Sequence, residues 1–222
     1  MRYSRMAVAT VAAPWSFAEL HARLGGIPLE RIRMNPSPGM ATEQDLMKPH
    51  GPICELIDGV LVEKPVGDRE SLLGVYISHL IYRCVEADGL GVVLGSDGFI
   101  KVGDGLIRAP DVTFIPWSSF PDEELPEEAY WSVAPGLIVE VLSPGNTSAE
   151  IDRKLNELFS AGCKLAWVID PESKSARVFT SPKRFKDLDA TGTLDGGKVL
   201  PGLKIPLADL FAATQRRKKK SR

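Results

Sequence analysis

One charged residue interrupts the aliphatic run Leu137-Ile138-Val139-Glu140-Val141-Leu142. Such a run predicts a central strand covered on both faces. An ionised Glu140 there costs several kcal/mol unless it is paired or coordinates a metal. The other reading is a Glu at the strand's exposed end, or one paired with an arginine. Three further residues suit the same chemistry. Asp111 follows Pro110 and opens the strand Val112-Thr113-Phe114-Ile115, which sets a carboxylate at a strand edge. A Pro-Asp pair also makes an ordinary turn. Glu55 alternates with Leu56 in Cys54-Glu55-Leu56-Ile57, as the solvent-facing residue of a half-buried strand also does. Lys154 lies on the flank of the stripe Ile151, Leu155 and Leu158, where a long side chain can bend toward the sheet. A solvated lysine paired with Glu150 is the alternative. Two neighbouring carboxylates can hold Mg²⁺ (or Mn²⁺) through oxygen ligands. A nearby cation then stabilises charge on a phosphate or positions an attacking water.

The elements that must position these residues are legible in turn. Trp15, Phe17, Leu20 and Leu24 predict a short helix ended by Gly25-Gly26, and Thr42-Glu43-Gln44-Asp45 suits a second helix start. Asp58-Gly59 between two apolar runs predicts a tight hairpin, because both turn positions need positive φ. Residues 69–87 predict a helix with Leu72, Leu73, Tyr76, Leu80 and Cys84 on one side and Gly89 past its end. Short strands follow at 92–94, 99–102 and 112–115, then a Pro- and acid-rich loop around 116–130. Thr147-Ser148-Ala149-Glu150 is a capping box opening the helix of Lys154, which Gly162 ends. A strand over 165–169 closes at Asp170-Pro171. Weaker strands begin at 177–179, and a short helix lies near Leu207–Phe211. The sum is an α/β fold, a mixed sheet flanked by helices in a single domain, with residues 1–41 as an N-terminal appendage and 212–222 as a basic tail.

The totals exclude several classes. Hydrophobic residues at 44% and charged residues at 25% describe an ordinary globular chain, and no apolar run is long enough to cross a bilayer. Arg2 and Arg5 before Met6–Ala13 faintly suggest a signal peptide, but the stretch is short and weakly apolar, which favours a frayed terminus. Cys54, Cys84 and Cys163 are far apart and odd in number, without metal-ligand spacing. They read as buried thiols in a reducing compartment, the cytoplasm. Arg216–Arg222 holds six of the 27 basic residues, leaving 21 against 29 acidic ones, a balance near −8 for the rest. That balance does not suit nonspecific DNA binding, whose affinity comes from cations on phosphates. The tail serves either solubility or nucleic-acid contact. His79 reads as a core or surface histidine, and His21 and His50 show no partners.

Glu55-Leu56-Ile57-Asp58-Gly59, Ala109-Pro110-Asp111-Val112, Val139-Glu140-Val141-Leu142-Ser143-Pro144, Asp152-Arg153-Lys154, and Ala161-Gly162 with Trp167–Pro171 together resemble the Uma2 family. This is a bacterial group of restriction-endonuclease-like proteins in the PD-(D/E)XK superfamily. The similarity runs from about 42 to about 211. The resemblance implies a restriction-endonuclease-like sheet flanked by helices and a divalent-metal phosphodiesterase site. Asp111 and Glu140 would be its metal-binding acids, Glu55 a further acid, and Lys154 its lysine. The superfamily's lysine two residues after the strand Glu is replaced here by Leu142. Ser143 and Asp152 flank the site as lesser candidates. Cys54 stands where the family often has an aromatic, and Arg69-Glu70-Ser71 where it often has a histidine.

The leading expectation is therefore a Mg²⁺- or Mn²⁺-dependent DNA endonuclease. The second is the same fold with a dormant site, acting in protein or nucleic-acid binding. A carboxylate-pair hydrolase acting on sugars ranks low, because a sugar platform's clustered aromatics are missing. A homodimer through the 121–128 loop or the N-terminal segment is compatible with the sequence.

Overall fold

In the computed structural model of the chain, residues 15–48, 51–65 and 67–214 are described. The signal-like stretch, His50 and the basic tail of Arg216–Arg222 lie outside them. Helix α1 (Phe17–Arg23) starts at Ser16, whose hydroxyl and Glu19 cap each other's amides. Gly25 and Gly26 end it in the left-handed region. A shorter helix, α2 (Glu43–Leu46), has the same box between Thr42 and Asp45. Strands β1 (Cys54–Ile57) and β2 (Val60–Glu63) form the expected hairpin.

The turn between them has φ 51° at Asp58 and 74° at Gly59, as a two-residue loop requires. The Gly59 carbonyl also accepts the amides of Gly39 and Ala41, both at 2.8 Å. A methyl group on Gly59 would lie 2.7 Å from Gly39 backbone atoms. Gly59→Ala is therefore expected to destabilise by about 1–3 kcal/mol, seen as a lower urea midpoint at unchanged slope. An unchanged midpoint would show that the 37–41 segment yields freely.

Helix α3 (Asp68–Asp88) ends at Gly89 in the left-handed conformation. Strands β3 (Gly91–Leu94), β4 (Ile100–Gly103), β5 (Leu106–Arg108) and β6 (Val112–Pro116) follow. After the long loop come β7 (Leu137–Val141), α4 (Ser148–Ser160) and β8 (Leu165–Asp170). Strands β9 (Ser175–Ser181), β10 (Arg184–Leu188), β11 (Thr193–Asp195), β12 (Lys204–Pro206) and helix α5 (Leu207–Ala213) complete the chain. The mixed sheet has six strands in the order β10-β9-β8-β7-β6-β3. Its one parallel pair is β7–β8, joined by α4 as a parallel pair's crossover must be. The hairpin belongs to a second sheet, β2-β1-β5-β4, and β11–β12 form a small ladder.

Alternation along β7 decides where Glu140 points. Leu137, Val139 and Val141 pack into a core with Leu73, Ile77, Ile81 and Val85 of α3 and with α5. Ile138 packs with Ile151, Leu155 and Leu158 of α4. Glu140 shares the Ile138 face and so meets α4. The stripe of α3 is turned from the expected one: Leu72 is 49% exposed, while Ile77, Ile81 and Val85 are buried. Tyr76, Leu80 and Cys84 are only partly buried against the core. The N-terminal residues pack closely, with Leu20, Leu24, Ile27 and Ile32 clustering on Ile57, Val60 and Val62 of the hairpin.

Candidate functional site

Glu140 lies in the centre of the six-stranded sheet and is buried. Val112 pairs with Val139, so the antiparallel register brings Asp111 across from Glu140. Asp111 is fixed there by the Val141 amide, which donates to its Oδ2 at 2.8 Å. Its Oδ1 accepts from Lys64 Nζ at 3.1 Å. Lys154 comes from the flank of the α4 stripe and is buried. Its Nζ stands 2.6 Å from Glu140 Oε1 and 2.8 Å from Glu55 Oε1. Glu55 is buried as well, which rules out the solvent-facing reading of its strand. It accepts the Ala109 amide at 2.8 Å and Arg108 Nη1 at 2.7 Å. Thus all four expected residues, Asp111, Glu140, Lys154 and Glu55, converge on one place.

The expected alternatives for these residues resolve physically. Lys154 does not pair with Glu150. Instead Glu150 is held by Arg31, at 2.6 Å and 2.9 Å through two guanidinium nitrogens, a fork geometry that lysine does not offer. Arg31 also donates to the carbonyls of Glu63 and Gly145, both at 2.8 Å. It thereby ties the N-terminal segment to the start of α4. Ser143 is engaged locally with Asn146, and Asp152 is exposed on α4, so neither joins the central cluster. His79 is exposed. His21 does have a partner, because its Nε2 lies 2.8 Å from the Ile27 carbonyl.

Three buried basic residues, Arg31, Lys64 and Arg108, escaped the sequence reading. Arg108 is 1% exposed and bridges Glu55 to Glu157, with its Nε 2.7 Å from Glu157 Oε2. Glu157 continues to Arg153 at 2.6 Å, Arg153 to Asp58 at 3.0 Å, and Asp58 to Arg23 at 2.8 Å. A line of ion pairs thus runs from the hairpin turn to the centre of the sheet.

The electrostatics single out one acid. Burial opposes charge on Glu55, but Lys154 and Arg108 outweigh it and hold its carboxyl far below the usual range. Burial likewise opposes charge on Lys154, and Glu140 and Glu55 outweigh it, so the ammonium is kept. Glu140 has only a share of Lys154. Burial pushes its carboxyl up to about 7, Lys154 works against that rise, and the nearby Asp111 carboxylate adds to it. Its Oε1 is close to Lys154 in distance, yet it receives no directed hydrogen bond.

This has a testable consequence for the metal-free protein. The unfolded chain releases the Glu140 proton near 4.5, the folded protein near 7. Between those values the folded state binds more protons, so stability falls as pH rises through the window and then levels off. Urea unfolding without divalent ions, at about pH 5 and about pH 8, is expected to show a larger loss for wild type than for Glu140→Gln. Equal losses would contradict this assignment.

The same features fit a divalent cation. Asp111, Glu140, Lys64, Lys154, Glu55 and Asn146 are among the residues around an inner cavity with about 20 Å³ of space open to the centre of a water molecule. About 10–15 Å³ suffices for one water. Among the described residues no three His, Cys, Asp or Glu side chains form a ready-made cage. Two carboxylates with water and phosphate oxygens are, however, how Mg²⁺ is commonly held. Asp111 and Lys64 also wall a larger cleft of about 500 Å³ that Gly67, Glu70, Ser71 and Asp97 help to line.

A mixed α/β core with buried acids and a lysine at the centre of its sheet defines a restriction-endonuclease-like domain. The Uma2 family model, described as "putative restriction endonuclease", matches residues 42–208, and the chain belongs to that family. Among solved structures, it shares its fold with a protein of Anabaena variabilis ATCC 29413 titled "putative nuclease belonging to DUF820". The TM-score is 0.68 at 19% identity, over 76% of this chain and 95% of that one. A search of curated proteins returns no match. No helix among the described residues is long and apolar enough to cross a membrane.

Proposed function

We propose that the protein is a divalent-metal-dependent endonuclease that hydrolyses phosphodiester bonds in DNA, with Asp111 and Glu140 holding Mg²⁺ or Mn²⁺. The observation that carries this reading is the buried Glu140 carboxylate, whose Oε1 pairs with Lys154 without a directed hydrogen bond, opposite the Asp111 carboxylate and beside the small inner cavity. The metal would supply Lewis-acid stabilisation of phosphate charge and a more acidic water. The Val141 amide fixes Asp111, and the sheet fixes Glu140. Lys154 offsets charge between Glu140 and Glu55, which lets the two acids stand close. Arg108 and the Ala109 amide anchor Glu55. The free thiols Cys54, Cys84 and Cys163 suit a reducing compartment such as the cytoplasm; burial pushes Cys163 up to about 11, which disfavours its thiolate.

The test is cleavage of supercoiled plasmid DNA with Mg²⁺, Mn²⁺ or EDTA. Nicking or linearisation is expected with either ion and none with EDTA. Cleavage that persists in EDTA would sink the metal requirement. A second reading, a dormant module of the same fold, is favoured by the acids Asp68, Glu70 and Asp97 along the cleft, which repel a phosphate backbone. Titration calorimetry separates the two, since a dormant site binds no divalent ion at millimolar concentration.

A further inference from the structure

The site contains two lysines, and their surroundings assign them different work. Lys154 lines the inner cavity only. Its ammonium is enclosed by protein groups, with Glu140 Oε1 at 2.6 Å, Glu55 Oε1 at 2.8 Å and the Ala109 carbonyl at 3.5 Å. It does not line the open cleft. Lys64 lines both the inner cavity and the open cleft. It follows the last residue of β2, and its amide is anchored on the Ile53 carbonyl at 2.9 Å. Its Nζ donates to the Ser96 carbonyl at 3.0 Å and to Asp111 Oδ1 at 3.1 Å. Those two contacts hold the ammonium beside Asp111, where the inner cavity and the cleft share their lining, and leave a third donor uncommitted. Among the described residues it is the one basic side chain lining the cleft, whose other charges are Asp68, Glu70, Asp97 and Asp111.

We infer that Lys64, rather than Lys154, is the lysine that meets the phosphate of the substrate. An anion in the cleft meets Lys64 and Asp111 side by side, and no other cation among the described residues lines the cleft. This rests on the nuclease reading and gives it a second basic residue, supplied by the end of the hairpin instead of by α4.

The experiment measures binding of a labelled DNA duplex by fluorescence anisotropy over a range of KCl, with Ca²⁺ replacing Mg²⁺, for wild type, Lys64→Ala and Lys64→Arg. Mn²⁺ affinity is measured by calorimetry on the same proteins. Lys64→Ala is expected to weaken binding equally for unrelated duplex sequences and to lower the salt slope by about one. Lys64→Arg is expected to keep the slope. Mn²⁺ binding in Lys64→Ala should be unchanged or tighter, because Asp111 loses a competing cation. An unchanged slope with weaker Mn²⁺ binding would show that Lys64 only holds Asp111, overturning the assignment while leaving the nuclease reading standing. A wild type that binds neither Mn²⁺ nor DNA would end both.

Discussion

Replacing either Asp111 or Glu140 is expected to lower metal-dependent DNA cleavage by about 10³-fold or more. Metal stabilisation of phosphate charge is worth several kcal/mol, and each 1.4 kcal/mol corresponds to about tenfold in rate. The choice of substitution matters. Asp111→Ala would leave the Val141 amide without its acceptor and Lys64 without its acid, at a cost of about 1–3 kcal/mol for an orphaned buried group. Asp111→Asn and Glu140→Gln keep the shape and most contacts while removing the charge a metal needs. Glu140→Gln is the cleaner probe, because burial and Asp111 already disfavour charge on Glu140 at neutral pH. Its activity should vanish while its stability near pH 8 is retained or rises. Single-turnover cleavage alongside urea unfolding reads both. Cleavage within tenfold of wild type in both variants would remove Asp111 and Glu140 from the chemistry.

The largest expected effect on stability belongs to Arg108. It is 1% exposed and sits between Glu55 and Glu157. Arg108→Met fills much of the same volume but leaves two acids facing each other without their shared cation. Removing one partner from a buried ion pair costs about 3–5 kcal/mol, a large share of a domain's stability. Arg108→Lys keeps the charge and loses the fork that spans both acids, so its urea midpoint should fall between those of wild type and Arg108→Met. A midpoint for Arg108→Met equal to wild type would show that Arg153 and Lys154 suffice for Glu157 and Glu55.

What the sequence disclosed follows from which interactions are local. The hairpin was legible because Asp58-Gly59 has one comfortable backbone solution, and α4 because Thr147 and Glu150 cap each other within four residues. Glu140 was legible because a charge among aliphatic residues must find a partner, and that partner is the lysine on the following helix. The face of α3 was less so. Leu72, Leu73, Val75, Tyr76, Ile77, Leu80 and Ile81 wrap most of the helix circumference. Periodicity therefore could not separate the exposed Leu72 and Val75 from the buried Leu73 and Ile77. The three missed basic residues have partners far along the chain. Arg31 reaches Glu150, Arg108 reaches Glu55, and Lys64 reaches Asp111. A lone arginine after a helical turn, or a lysine after a strand, reads locally as surface charge. Only the assembled sheets bring β2, β5 and β7 near enough to make these residues part of the site. The three-residue strand β5, which carries Arg108, is too short to give a pattern of its own.

The most direct test of the central claim is a crystal of the protein soaked in Mn²⁺ and measured for anomalous scattering. The proposed reading expects one strong peak between the Asp111 and Glu140 carboxylates, in the inner cavity walled by Lys64 and Lys154, with both acids within coordination distance. A peak seated on other residues, or none there at saturating Mn²⁺, would contradict it.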